Sequence, residues 1–321
     1  MKVDLKLYRG YINKDHLVVF GHVFNSWAPD KYRLDRKGFG HAYSVLRMFF
    51  IKPLKNVEVT LNFNNVEITT KSLKDGYFRF DIPHHNNLPS GWHSYTVTCR
   101  LQGISMVGYG ELLKPHEGNL GIISDIDDTF LVSHSDNIFR KLYVMLYRNV
   151  NDRKVYADVV EHYRQLSKAG QEQSDAGNAF FYVSSSEWNL YELINDFAEI
   201  NDLPKAVIKL KDIKNGITDF LFSGRGSHNH KFYKIKDIIS FYPNLQYVLL
   251  GDDSQHDPWI YEHIAKIFPK SIKAVYIRQT DGHKSRNVQK VLDNLETLDV
   301  ATCYFAASDK AIEHSRQIGI I

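Results

Sequence analysis

The chain has 321 residues, enough for two domains at roughly 150 residues each. Lys and Arg number 40 against 37 Asp and Glu, a net charge of +3, so no strong global field points to nucleic acid. A hydrophobic content of 43% with 13% aromatic excludes general disorder, and two distant cysteines, Cys99 and Cys303, exclude a disulfide framework or a cysteine-built zinc site. The start, Met1-Lys2-Val3-Asp4-Leu5-Lys6, lacks the roughly 7–15 apolar residues of a signal peptide, and no run approaches the roughly 20 of a spanning helix. The expectation is a cytoplasmic protein.

Up to about Gly110, short alternating runs are separated by turn residues. Val18 to Phe24, Val57 to Phe63, Val66 to Thr70, Tyr77 to Ile82 and Tyr95 to Arg100 read as strands, with a turn at Lys74-Asp75-Gly76. Strands at this spacing predict an antiparallel β-sandwich over residues 1–115. Gly40 to Ile51 interrupts the pattern as a helix or a long crossover, and Lys114-Pro115-His116-Glu117-Gly118 reads as a linker. No feature says what this domain binds.

Residues 116–321 follow a β-α-β-α grammar. Leu120 to Ile123, Ala179 to Val183, Gln246 to Leu250 and Ala274 to Ile277 are continuous apolar strands; Val159 to Lys168, Leu190 to Ile200 and Phe232 to Phe241 are helices. This alternation predicts an α/β domain with a doubly wound parallel sheet covered on both faces.

In such a sheet, ligands bind outside the carboxyl ends of the strands. The first strand ends in Ser124-Asp125-Ile126-Asp127-Asp128-Thr129. Crowded carboxylates repel unless a cation or proton relieves them, and hard oxygen donors favour magnesium. The second strand ends in Ser184-Ser185-Ser186, hydroxyls able to bind phosphate oxygens; Ser184 also fits a helix cap, and Ser186 competes with it for the phosphate. Lys231 opens a helix, where an ammonium neutralises developing charge, while Lys234 and Lys236 read as a solvated helix face. The third strand ends in Gly251-Asp252-Asp253, with Asp257 beyond. These are the parts of phosphoryl transfer through an aspartyl-phosphate.

From about Gly118 to the C-terminus the chain resembles the haloacid dehalogenase superfamily, and more narrowly the actin-patch-protein phosphatidate phosphatase family. The resemblance rests on Asp125-Ile126-Asp127-Asp128-Thr129, on Phe181 to Ser186 with Trp188-Asn189-Leu190-Tyr191, and on Gly251 to Pro258 with Ile260-Tyr261. Asp253, Glu187 and Trp259 depart from the family pattern without removing a catalytic group. The resemblance implies that Asp125 is the nucleophile and Asp127 the general acid and base. It implies that Asp125, Asp127 through its carbonyl, and Asp252 hold Mg²⁺, assisted by Asp253 or Asp257. Ser184 and Lys231 hold the transferring phosphoryl group, and Thr129 orients the nucleophile loop. The implied reaction hydrolyses phosphatidate to diacylglycerol at a membrane surface, with peripheral attachment and no nucleic acid.

Substrate signals are thinner. Phe139, Leu142, Tyr143, Leu146, Tyr147 and Val150 fall at helical spacing beside Arg140, Lys141 and Arg148, fitting either a core-packing helix or a membrane-surface helix. Lys205, Lys209, Lys211 and Lys214, then Arg225, His228 and His230, form a basic stretch: a phosphate headgroup site including Arg225, or an exposed loop. Two alternatives stand beside the lipid phosphatase: a phosphatase for a soluble or nucleic-acid phosphomonoester, and a non-catalytic phospholipid-headgroup module.

Overall fold

The computed structural model describes residues 3–25, 52–85, 87–116, 120–126, 153–170, 177–211, 229–254, 256–280 and 285–321. The features read at Gly40 to Ile51 and Phe139 to Val150 lie outside these residues. The chain divides into two compact units: Met1–Pro115 with Asn189–Asp196, and His116–Trp188 with Phe197–Ile321.

In the first unit the described strands are β1 (Val3–Leu7), β2 (Gly10–Ile12), β3 (His16–Asn25), β4 (Lys52–Pro53), β5 (Glu58–Phe63), β6 (Val66–Lys71), β7 (Tyr77–Pro83), β8 (Gly91–Leu101) and β9 (Ile104–Lys114). They join one mixed sheet in the order β1-β3-β2-β9-β8-β5-β6, with β4 and β7 also on β3. Pairing is antiparallel except between β2 and β9, where Gly10 faces Leu112 in parallel register. The expectation of antiparallel pairing throughout is corrected there. Two-residue hairpins join β5 to β6 and β8 to β9. Asn64 and Asn65 (φ 46° and 63°) form the first, and Gln102 and Gly103 (φ 48° and 79°) the second. Positive φ at both centres matches the right-handed twist of the flanking strands.

Strand β9 was not legible because Gly108 and Gly110 dilute its pattern. Gly110 is required by packing: a Cβ there would stand 2.2 Å from Cζ of Tyr95. The Tyr95 hydroxyl donates to the carbonyl of Tyr8 at 2.9 Å. Leu17, Val19 and Val23 of β3, Phe78 and Phe80 of β7, Val59 and Leu61 of β5, and Val97 and Cys99 of β8 share one core. Apolar burial of this kind supplies the main favourable term.

The second unit carries β10 (Leu120–Asp125), β11 (Ala179–Glu187), β12 (Ala206–Lys211), β13 (Gln246–Asp252), β14 (Ile272–Arg278) and β15 (Ala301–Phe305). They form a six-stranded sheet in the order β12-β11-β10-β13-β14-β15, parallel in every pair. The strand order thus reverses between β10 and β13. The described helices are α1 (Arg153–Lys168), α2 (Tyr191–Ile200), α3 (Asn229–Phe241), α4 (Asp257–Ile267), α5 (Arg286–Glu296) and α6 (Ser308–Gln317). Of the basic stretch read at residues 205–214, the part from Ala206 to Lys211 is β12. Val207, Ile208 and Leu210 are buried there, so the loop reading is corrected for that part. Among the described residues, no helix is long and apolar enough to cross a membrane.

Among the described residues, each unit buries one histidine in the neutral form. His22 accepts or donates at Nδ1 with the Tyr8 hydroxyl (2.9 Å) and stacks on Phe24. His162 bonds through Nε2 to Ser315 Oγ at 2.8 Å, and Ser315 to the Tyr276 hydroxyl at 2.6 Å. Burial pushes both imidazoles from 6.5 down to about 3. The unfolded chain therefore binds more protons between these values, so stability is full above pH 6.5 and is lost as pH falls towards 3. We expect each pH unit in that window to cost about 1.4 kcal/mol per histidine. Urea unfolding of the wild type and His162→Phe at pH 7 and pH 5 checks this. Equal pH slopes in the two proteins would remove His162 from the account.

Candidate active site

Among the described residues, the buried carboxylates, ammonium groups and guanidinium are Asp125, Asp252, Asp257, Lys231, Lys234 and Arg278. Asp125, Asp252 and Arg278 are the last residues of β10, β13 and β14; Lys231 and Lys234 lie in the first two turns of α3, and Asp257 is the first residue of α4. The strand ends and the helix starts meet at one edge of a parallel sheet, because each helix runs back against the strands. Burying so much charge is costly unless it is paired. Here the pairing is direct.

Lys231 Nζ donates to Asp125 Oδ2 at 2.7 Å and to Asp257 Oδ1 at 3.0 Å. All three side chains are at most 4% exposed. Behind the strand end, Ser124 Oγ donates to the Asp125 carbonyl at 2.9 Å and bonds the Tyr163 hydroxyl of α1 at 2.7 Å. Asp252 Oδ1 accepts from the backbone N–H and the hydroxyl of Ser254, both at 2.8 Å, which closes a turn at the end of β13. Pro258, second in α4, sits where the helix needs no backbone donor, and Asp257 lies in the first turn, where the helix dipole favours an anion. The Tyr261 hydroxyl donates to the Leu250 carbonyl at 2.8 Å. Burial first, then the carboxylates of Asp257, Asp125 and Asp252, raise its pKa well above the ordinary value, so it stays a neutral donor.

Gly251 makes room for this arrangement. A Cβ there would meet Asp257 Oδ2 at 2.6 Å and the Tyr261 hydroxyl at 2.8 Å. Asp257 Oδ2 is buried and has no hydrogen-bond partner. A lone carboxylate oxygen held dry beside other carboxylates is the donor type that a hard cation takes. No group of three His, Cys, Asp or Glu side chains among the described residues is arranged to hold a metal ion.

The structure brings Asp125, Lys231 and Asp257 together, places Asp252 at the end of β13, and places Ser184 inside β11, where that strand's register with β12 shifts; β13 and β11 flank Asp125's own strand. Asp127, Thr129 and Arg225 lie outside the described residues, as does the side chain of Ser186. Asp253 faces a different cluster. Its Oδ1 accepts from the N–H (2.8 Å) and hydroxyl (2.6 Å) of Thr280, and its Oδ2 from the Tyr304 hydroxyl (2.6 Å). Both oxygens tie the end of β13 to neighbouring segments, which is structural work.

Two buried cations were missed. Lys234, read as solvated, is buried and donates to the Ser184 carbonyl at 3.1 Å; Lys236 is exposed as expected. The signal was the spacing, since residues i and i+3 share a helix face and Lys231 already points inward. Arg278 ends an apolar strand as Asp125 and Asp252 do, and that position alone flags it. It donates to Ser308 Oγ at 2.6 Å and lies over the Phe305 ring. Burial lowers its pKa against the pull of Tyr163, Asp252 and Asp158.

A parallel α/β unit with carboxylates and a lysine gathered at the carboxyl edge of its sheet has the form of an enzyme centre at a topological reversal. Residues 120–279 match the model described as the phosphatidate phosphatase APP1 catalytic domain. Across those residues the chain belongs to this family. It is 30% identical over 159 residues to the phosphatidate phosphatase APP1 of Saccharomyces cerevisiae, covering 50% of this chain and 26% of that protein. The chain thus spans about a quarter of the length of that curated relative. Among solved structures it is similar to XAC1771, a carbohydrate acetylesterase from Xanthomonas citri. Identity is 9% and TM-score 0.34, with 99% of this chain and 75% of that one covered. It is also similar to the PilB minor pilin of Streptococcus sanguinis, at 9% identity and TM-score 0.31, with 82% and 86% covered. Neither likeness is close enough to bear on the fold.

Replacing Lys231 by Met would leave two buried carboxylates facing each other without their shared cation. We expect the metal-free variant to lose about 3–5 kcal/mol in denaturant unfolding, the range for breaking a buried ion pair from one side. A loss below about 1 kcal/mol would mean that solvent reaches the cluster.

Proposed function

We propose that the chain hydrolyses phosphatidate to diacylglycerol and phosphate, with Asp125 as nucleophile. The observation that carries the reading is the buried Lys231 ammonium holding Oδ2 of Asp125 and Oδ1 of Asp257. An ammonium at a carboxylate keeps it ionised and supplies fixed positive charge where an anionic substrate must approach. Phosphatidate follows from the family across residues 120–279.

In the proposed reaction the Asp125 carboxylate attacks phosphorus, and the bond from phosphorus to the ester oxygen breaks. Asp127 gives its proton to the departing oxygen, releasing diacylglycerol and leaving the phosphoryl group on Asp125. Asp127 then takes a proton from water as that water attacks phosphorus; the bond to Asp125 breaks and phosphate leaves. Ser184 and Lys231 hold the phosphoryl oxygens in both steps, and Thr129 orients the nucleophile. Asp125, Asp252 and Asp257 are the residues that would hold Mg²⁺, with Asp127 through its carbonyl; the dry, unpartnered Oδ2 of Asp257 fits that role. Asp253 fits it less well, because both its oxygens are engaged by Thr280 and Tyr304. Mg²⁺ there would neutralise charge on the transferring group.

The strand order, reversing beside β10, supports a doubly wound, haloacid dehalogenase-like domain. A core shared by β3 and β7 with β5 and β8 supports a sandwich in the first unit, whose binding role stays open. Peripheral contact with a phospholipid surface follows from the substrate, whose acyl chains resist extraction at about 0.8 kcal/mol per CH₂.

The test is magnesium-dependent phosphate release by wild type and Asp125→Asn, on phosphatidate in mixed micelles and on a soluble aryl phosphate. We expect release from phosphatidate, reduced at least about 10³-fold by the substitution. Release from the aryl phosphate alone would keep the mechanism and discard the lipid. Silence on both, with folded protein, would favour a headgroup-binding module.

A further inference from the structure

Strand β11 leaves its ladder where the site begins. It pairs with β12 in regular register up to Val183 opposite Lys209, and resumes at Glu187 opposite Lys211. Ser184, Ser185 and Ser186 therefore stand against the single residue Leu210. Extra residues on one strand bend it, increase its twist and remove backbone groups from the ladder, and such bulges recur beside active sites. A displaced carbonyl in a dry environment needs another donor.

At Ser184 that donor is Lys234. Ser184 is fully buried, Lys234 is 7% exposed, and its Nζ lies 3.1 Å from the Ser184 carbonyl. Lys231, one turn earlier on α3, holds Asp125. One face of one helix thus grips the end of β10 through a carboxylate and the bulge of β11 through a backbone carbonyl. Towards β10 the ladder is regular up to Val183, opposite Asp125, and the Ile126 N–H donates to the Val183 carbonyl at 3.3 Å.

We propose that Lys234 is a positioning residue for the phosphate grip: its ammonium fixes the bulged end of β11 and so sets Ser184 against Asp125. The proposal rests on the phosphatase reading for its kinetic consequence, but the placement of the bulge stands apart from it. A hydrogen bond from a charged donor is about twice as strong as a neutral one, so a neutral amide replaces it only in part.

The experiment compares wild type, Lys234→Met, Lys234→Gln and Lys234→Arg. Amide hydrogen exchange over residues 183–187 reads the bulge directly. We expect exchange there to rise about tenfold in Lys234→Met, least in Lys234→Arg, and in between in Lys234→Gln, with β13 and β14 unchanged. Turnover of the aryl phosphate reads the consequence: kcat and kcat/KM falling together by about tenfold or more in Lys234→Met, with KM nearly constant and Lys234→Arg recovering most of the loss. If the wild type shows no turnover but exchange follows this order, the phosphatase reading falls and the positioning role stands. Wild-type exchange at 183–187 in Lys234→Met overturns the proposal, as does exchange that rises equally throughout the sheet. Should Lys234→Met fail to fold, Lys234→Gln against Lys234→Arg decides: equal exchange at 183–187 in those two also overturns it.

Discussion

The second unit depends on one ammonium shared by two buried carboxylates. Lys231 stands between Asp125 and Asp257, and none of the three has appreciable contact with water. In water the attraction between such charges is weak; in a dry interior it is strong, but the desolvation of each ion is of comparable size. The cluster therefore contributes little to net stability against an apolar alternative. It does fix geometry. The start of α3, the end of β10 and the start of α4 share one point, and a shift of any of them leaves a charge unpaired.

Topology explains why these three elements can meet. β10 lies where the strand order reverses, with β11 on one side and β13 on the other. The connections from those strands leave in opposite directions, which opens space beyond the carboxyl end of β10. Gly251, the next-to-last residue of β13, keeps that space from closing, because Asp257 Oδ2 and the Tyr261 hydroxyl occupy the volume a Cβ would take. The same compaction that requires glycine at 251 presses Asp257 against the end of β13. Close packing and chemistry are imposed here by the same atoms.

What the sequence reveals of this follows burial. Strands β10, β11, β13 and β14 are apolar on both faces and were legible as runs; the rule that chemistry collects at strand ends singled out Asp125 and Asp252, the last residues of β10 and β13, and Ser184, which lies inside β11. β12 was hidden because its lysines broke the run, although Val207, Ile208 and Leu210 are buried. β9 was hidden by glycines that a neighbouring tyrosine ring demands. The burial of Lys234 was invisible to composition, since a lysine's usual place is in water; only its helical phase against Lys231 marks it. Asp253 shows the converse. Adjacent to Asp252, it looks equivalent in sequence, yet it stands just past the end of β13, and its carboxylate closes a cluster with Thr280 and Tyr304.

The charge at the sheet edge has a further consequence. Among the described residues the buried set holds three carboxylates and three cations, so it is neutral as it stands. A neutral buried set is stable without a ligand, whereas one with a surplus pays in desolvation for every unbalanced ion. Under the phosphatase reading the visitors are a divalent cation and a phosphate dianion, which cancel each other. Each alone would charge the interior; together they do not. Among the described residues alone, taking up the two together keeps the balance that either alone would upset, and Lys231, Lys234 and Arg278 are the cations that balance the carboxylates when both have left.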